Sequence, residues 1–203
     1  MPTILNVQSS PNLNSSASRA VSQSFIDAYL TSHPGTEVIN IDLATNPPAH
    51  IGPDHLLAFF APSDAHGPES VAALAVSDQY IAQLTSADVL VLGTPMHNFG
   101  IASTMKSWVD NILRAGKTFK YTENGPVGLL SGKKVIIAVG SGGVYSDGVM
   151  KDFEHCGNYL RDIISFIGLT DITILRAEGL AISPEAAQQG LAAGKADAER
   201  IAQ

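Results

Sequence analysis

The sequence predicts an α/β fold: an open, doubly wound, five-stranded parallel sheet in the order 2-1-3-4-5 with helices on both faces. Three observations carry this. Five short apolar runs alternate with five stretches of helical periodicity. The third run, Val89-Leu90-Val91-Leu92-Gly93, is apolar throughout, as a parallel strand covered on both faces must be. The 203 residues are too few for an eight-fold barrel.

The first strand is Ile4 to Val7, bounded by the polar stretch Gln8 to Ser18. With Ser18 as expected N-cap, Ala20, Val21, Ser24, Phe25, Ala28 and Tyr29 recur at helical spacing until His33-Pro34-Gly35 stops the helix. Glu37 to Leu43 is the second strand. A long Pro-rich and His-containing loop, Ala44 to Gly67, follows, with a short helix expected near Asp54 to Phe60. Pro68 and Glu69 open a helix whose Val71, Leu74, Ala75, Ile81 and Leu84 share a face. After the third strand, Met105, Trp108, Val109, Ile112 and Leu113 form the next stripe. Lys117 to Lys133 has no helical period, and its Asn124-Gly125-Pro126 marks a hairpin turn. Val135 to Val139, a helix over Asp152 to Ile167, Ile172 to Ala177 and a helix over Pro184 to Ala202 complete one expected domain, residues 1–203.

Composition narrows the function. Twelve Lys plus Arg against nineteen Asp plus Glu give a formal charge of -7, and no basic run tracks a phosphate backbone, so nucleic acid is not the expected partner. The single cysteine, Cys156, leaves no internal disulfide and suits a reducing compartment. No apolar run is long enough for a membrane span, and Met1-Pro2-Thr3 enters a strand without a basic leader. A cytoplasmic protein is expected.

In sheets of this kind ligands bind beyond the carboxyl ends of the strands where the strand order reverses, here between the first and third. Three loops converge there: Ser9 to Ser18, Thr94 to Gly100 and Gly140 to Tyr145. The first reads either as a phosphate site, in which Ser10, Ser16, Ala17 and Ser18 offer neutral donors at a helix N-terminus, or as a serine loop with a plain helix cap. In the second, Met96, His97, Asn98 and Phe99 suit a flat ring with polar edges. In the third, Gly140, Ser141, Gly142 and Gly143 let backbone approach a ligand closely. Together they favour FMN.

Other chemistries fail. No G-x-G-x-x-G follows the first strand, and Gly128 to Lys134 has the wrong spacing for a P-loop. Cys156 shares an apolar stripe with Phe153, Leu160, Ile163 and Ile167 and reads as an inert thiol. His50, Asp54, His55 and His66 match no metal-ligand spacing, and no metal is expected.

The chain resembles the FMN-dependent NAD(P)H azoreductases of the flavodoxin-like quinone reductase group. The resemblance rests on Thr118-Phe119-Lys120-Tyr121-Thr122-Glu123-Asn124-Gly125-Pro126 with Gly128-Leu129 and Gly132-Lys133-Lys134. It is joined by Ser9-Ser10, Pro95-Met96-x-Asn98-Phe99, Ser141-Gly142-Gly143, Phe166-Ile167-Gly168 and Ala177-Glu178-Gly179. It implies FMN contacts from Ser10 and Ser16 to Ser18 on the phosphate, Met96 to Phe99 on the ring and Gly140 to Gly143 on its pyrimidine edge. It also implies a homodimer with shared sites and a ping-pong cycle in which NADH or NADPH and then a quinone or azo compound use the flavin in turn. His97 stands where tyrosine is common, Gly140-Ser141 replaces a Ser-Arg pair, and Ala61 replaces an arginine of some members; these departures bear on acceptor choice. No side chain is required as a nucleophile, and His97 and Tyr121 are the candidate substrate-pocket residues. Two rivals share such a site: an FMN electron carrier and a non-catalytic flavin-binding regulator. The length of Ala44 to Gly67 and Lys117 to Lys133 argues for an enzyme, as walls of a substrate pocket.

Overall fold

The computed structural model describes residues 1–61 and 65–203; residues 62–64, inside the expected Ala44–Gly67 loop, lie outside the described residues. In chain order the elements are β1 (Thr3–Gln8), α1 (Ala17–Ser32), β2 (Glu37–Asp42), α2 (Pro53–Phe60), α3 (Pro68–Ser86), β3 (Val89–Pro95), α4 (Ser103–Ile112), β4 (Phe119–Thr122), β5 (Gly125–Gly128), β6 (Lys134–Gly140), α5 (Gly157–Phe166), β7 (Asp171–Ala177) and α6 (Pro184–Ile201). The main sheet is β2-β1-β3-β6-β7, parallel throughout. With the β4–β5 hairpin left out of the count, this is the expected order.

Alternation along the strands sorts the core into two layers. Leu5, Val7, Leu90, Leu92, Val135, Ile137 and Val139 pack with α3, α4 and α5, around the fully buried Trp108 and Met105. Ile4, Val89, Val91, Ile136, Ala138, Leu175 and Ala177 pack with α1 and α6. The helices therefore cover both faces.

Two boundaries differ from expectation. The N-cap of α1 is Ser16, whose hydroxyl accepts the Arg19 N–H at 3.4 Å; Ser18 is buried within the first turn. The helix expected over Asp152 to Ile167 is broken into a 3-10 turn, Gly148–Phe153, and α5. The buried Glu154 carboxylate turns back to accept the N–H groups of Cys156, Gly157 and Asn158 at 3.0, 2.7 and 3.1 Å. Those donors are the ones a continuous helix would give to the carbonyls four residues earlier. Phe153, expected on the buried stripe, is in consequence half exposed and Ile163 only half-buried, whereas Cys156, Leu160 and Ile167 are fully buried together with Ile164.

The two lysines of the rejected P-loop reading serve helix ends instead. Lys133 Nζ donates to the carbonyls of Thr85 and Ala87 at the end of α3, and Lys134 Nζ donates to that of Ile201 on α6. The hairpin is pinned nearby, beside the amino ends of the strands: Leu130 N–H donates to the Ile167 carbonyl at 3.0 Å, and a Cβ on Gly128 would lie 2.2 Å from Gly168 N. Backbone cannot yield there. Gly128→Ala should therefore cost about 1–3 kcal/mol or more, and a thermal melt matching wild type would contradict this account of the crossing.

Candidate active site

The site is the carboxyl edge of the sheet, where β1 turns outward to α1 and the strand order reverses between β1 and β3. The three loops meet there through backbone. Ser9 N–H and hydroxyl both donate to the Gly93 carbonyl, at 2.9 and 3.1 Å, joining the first loop to β3. Met96 N–H donates to the Gly140 carbonyl at 2.8 Å, joining the second loop to β6. A Cβ on Gly140 would lie 3.3 Å from Ser18 N and 3.5 Å from Ala17 Cβ, so the third loop starts against the N-terminus of α1.

Each loop is held in a fixed shape. In the first, Asn12 Oδ1 accepts the N–H groups of Asn14 and Ser15, and the Ser16 and Ser18 hydroxyls are 3.1 Å apart. Ser10 is buried beside them. In the second, His97 and Gly100 exchange both backbone hydrogen bonds, at 2.9 and 3.0 Å, around Asn98 and Phe99. Both intervening residues have positive φ, 49° and 69°. A turn of this kind normally takes Asn-Gly, so Phe99 is held in a conformation disfavoured for an aromatic residue. Its ring packs between Tyr145 and Phe153, at centroid distances of 6.1 and 5.3 Å. The imidazole of His97 is exposed at the same turn.

The third loop is strapped to the segment after β7. The carbonyls of Ser141, Gly142 and Gly143 accept the N–H groups of Leu180, Ala181 and Gly179, and the Ser141 hydroxyl donates to Gly143 at 2.9 Å. Glu178 completes the strap by accepting from Tyr145 N–H at 2.8 Å and from the Ser146 hydroxyl at 2.5 Å. Carbonyls are thus turned inward to the protein, while the Ser141 side chain is spent on the loop's own shape.

The structure brings Ser10, Ser16 to Ser18, Met96 to Phe99 and Gly140 to Gly143 to one edge, but not Tyr121. The Tyr121 ring lies 5.5 Å from that of Phe119, which packs on Phe166 at the end of α5 remote from the crevice; Tyr121 itself is 74% exposed. The Ala44–Gly67 segment, in its described residues, turns away from the crevice of its own chain over α2. Its α2 docks on α3, with Phe59 5.2 Å from the guanidinium of Arg114 beyond the far end of α4. His50, His55 and His66 have structural partners: the Ser107 hydroxyl, the Gly52 N–H and the Ala61 carbonyl. Burial, with a smaller push from Glu154, raises the Cys156 thiol to about 12, which agrees with an inert sulfur.

A family model described as flavodoxin-like fold matches residues 2–202. An FMN-dependent NADH:quinone oxidoreductase from Herminiimonas arsenicoxydans is 44% identical over 192 residues, spanning 95% of this chain and 94% of that one. The chain belongs to the FMN-dependent quinone reductase and azoreductase family. Solved structures of the family superpose closely. The azoreductase of Bacillus anthracis str. Sterne gives a TM-score of 0.92 at 32% identity, covering 100% of this chain and 99% of the other. The FMN-dependent NADH-azoreductase of Bacillus anthracis str. Ames Ancestor, solved in complex with FMN, gives 0.88 at 30% identity and covers 100% of both chains.

Sequence reasoning assigned no role to two residues that hold these loops in shape, Glu178 and Arg19. For Arg19 a signal existed. A cation in the first turn of a helix opposes the macrodipole unless something neutralises it. Asp42, at the end of β2, does so: Arg19 Nη1 and Nη2 donate to its two oxygens at 2.9 and 2.7 Å. The hydrogen bonds from Arg19, against a smaller opposing effect of burial, lower the Asp42 carboxyl below its ordinary value. A depressed carboxylate contributes stability above its unfolded value, about 3.9, and loses it as pH falls through the lower folded value. Asp42→Asn should therefore destabilise at pH 7, with the deficit shrinking below about pH 4. Denaturant titrations at both pH values check this, and a deficit independent of pH would contradict it.

Proposed function

We propose that the protein is an FMN-dependent NADH:quinone oxidoreductase that also reduces azo compounds, using the loops at the carboxyl edge as its flavin site. The carrying observation is the convergence of a neutral hydroxyl-lined helix N-terminus, a strained aromatic turn and a glycine loop on one crevice. The named activities of full-length relatives support the same reading.

The fit to FMN rests on the chain's own groups. Ser10, Ser16 and Ser18, with the N–H groups of Ala17 and Ser18, would hold the phosphate through neutral donors and the dipole of α1. Gly140 lies close against that helix end, where a Cβ would stand 3.3 Å from Ser18 N. Met96 and the His97 to Phe99 turn would hold the ring, and the amides of Gly142 and Gly143 its pyrimidine edge. FMN in this place supplies two-electron transfer between a nicotinamide and an acceptor. The protein's share is alignment, exclusion of water by Phe99, Tyr145 and Phe153, and hydrogen bonds to charge at the ring edge. The nicotinamide leaves before the acceptor enters the same space, a ping-pong order. His97 influences which acceptor fits.

We further propose a homodimer. Phe60, Leu57 and Val149 are strongly exposed apolar side chains, and Tyr121, remote from its own crevice, is free to reach a partner's. Light scattering at micromolar concentration should return twice 21.3 kDa, and the single-chain mass would overturn the dimer.

The flavin should be released by heat as FMN, and NADH oxidation should depend on added quinone; a flavoprotein without that turnover would be a carrier or a regulator. Ser18→Ala is the cleanest probe of the phosphate site, because Ser16 and not Ser18 caps the helix. Loss of one donor to a charged group, worth roughly 1.5–3 kcal/mol, should weaken FMN about tenfold or more and riboflavin much less. Equal weakening of both would remove Ser18 from the phosphate site.

A further inference from the structure

The first loop of the crevice begins at a peptide that can be held from one side only. Ser10 is followed by Pro11, which has no N–H, so the Ser10 carbonyl is the sole hydrogen-bonding group of that peptide. Arg19 takes it with two donors, Nε at 3.2 Å and Nη2 at 2.8 Å. The rest of the fork closes on Asp42. Asp42 is anchored in turn: its Oδ1 accepts Ala44 N–H at 3.0 Å, and the next residue, Leu43, donates its N–H to the Gln8 carbonyl at 2.8 Å. One guanidinium therefore ties the loop after β1, the first turn of α1 and the end of β2.

We propose that Arg19 and Asp42 are positioning residues for the phosphate of the flavin, acting as a latch on the Ser10–Pro11 peptide and not as a charge that attracts the anion. The inference rests on the flavin reading above. Among the described residues, the four Arg19 side-chain hydrogen bonds all go to Ser10 or Asp42, and the carboxylate neutralises the cation, so the cradle stays a set of neutral donors. A loose arginine one turn into α1 would instead be free to swing toward a dianion. The fork geometry decides between the two roles: a guanidinium can hold a carbonyl and both carboxylate oxygens at once, whereas an ammonium offers no planar fork.

The test compares FMN with riboflavin, which lacks the phosphate, on the purified full-length apoprotein by flavin fluorescence. Arg19→Gln should weaken FMN about tenfold, the worth of one charge-assisted hydrogen bond, while riboflavin changes less than about threefold. Arg19→Lys, which keeps the charge and loses the fork, should behave as Arg19→Gln. Asp42→Asn should weaken FMN in the same sense, and the double variant should be no worse than Arg19→Gln alone, since both remove one device. If Arg19→Gln does not fold, Arg19→Lys and Asp42→Asn still decide. A wild-type affinity for FMN in Arg19→Lys would mean that charge and not geometry matters, and overturns the latch. So would an FMN-to-riboflavin ratio unchanged in every variant. If the wild type itself binds the two flavins equally, the phosphate reading of the loop fails first and the latch falls with it.

Discussion

A parallel sheet packed with helices on both faces has almost nowhere to put a polar group except at its ends. A polar side chain placed in that interior would leave hydrogen-bonding groups unpaired, so strands β1, β3 and β6 are mostly aliphatic between their ends. The chemistry is thereby expelled to the carboxyl edge, where backbone leaves the ladder and its N–H and C=O groups become available. Everything at the crevice, from the exchange between His97 and Gly100 to the strap on Ser141–Gly143, is a way of pairing some of those groups and leaving others for a ligand.

The exception inside the sheet supports the point. Asn6 and Gln8 interrupt the apolar pattern of β1, and most of their polar atoms are paired in a ladder, Gln8 Nε2 to Asn6 Oδ1 at 2.7 Å and Asn6 Nδ2 to Asn40 Oδ1 at 2.8 Å, while Gln8 Oε1 has no partner among the described residues. The ladder runs to the edge strand β2, whose last residue is Asp42. The second layer behind the first loop is built of amides and one neutralised ion pair, which is consistent with a cradle that uses dipoles and hydroxyls in place of net charge.

Strain is concentrated on the opposite side of the crevice. Asn98 and Phe99 are held at positive φ because the surrounding contacts over-determine them: the His97–Gly100 pair closes the turn, His155 N–H donates to the Phe99 carbonyl at 3.2 Å, and two aromatic rings bracket the Phe99 side chain. A rigid turn on one wall and a neutral helix end on the other suit a cofactor with a flat ring at one end and a phosphate at the other.

The sequence by itself determined the alternation of elements, the sheet order, the hairpin at Asn124-Gly125 and the three loops, because each depends on local periodicity, on turn chemistry or on the rule that ligands lie at the strand-order reversal. It also predicted Cys156 as buried, although the continuous helical stripe used to place it is broken at Glu154 and Cys156 stands at the N-cap of α5. Tertiary structure alone decided which hydroxyl caps α1, where the helix before β7 begins, and which long segments face the crevice. Each of those outcomes turns on a group distant in space or on a side chain's rotamer. Glu154 outcompetes main-chain carbonyls for three N–H groups, the hairpin is pinned by Gly128 against Gly168 at the far end of the sheet, and Arg19 finds Asp42 twenty-three residues along the chain. Hydrogen bonds of that kind leave no period in a sequence, and only the folded chain reveals which donor meets which acceptor.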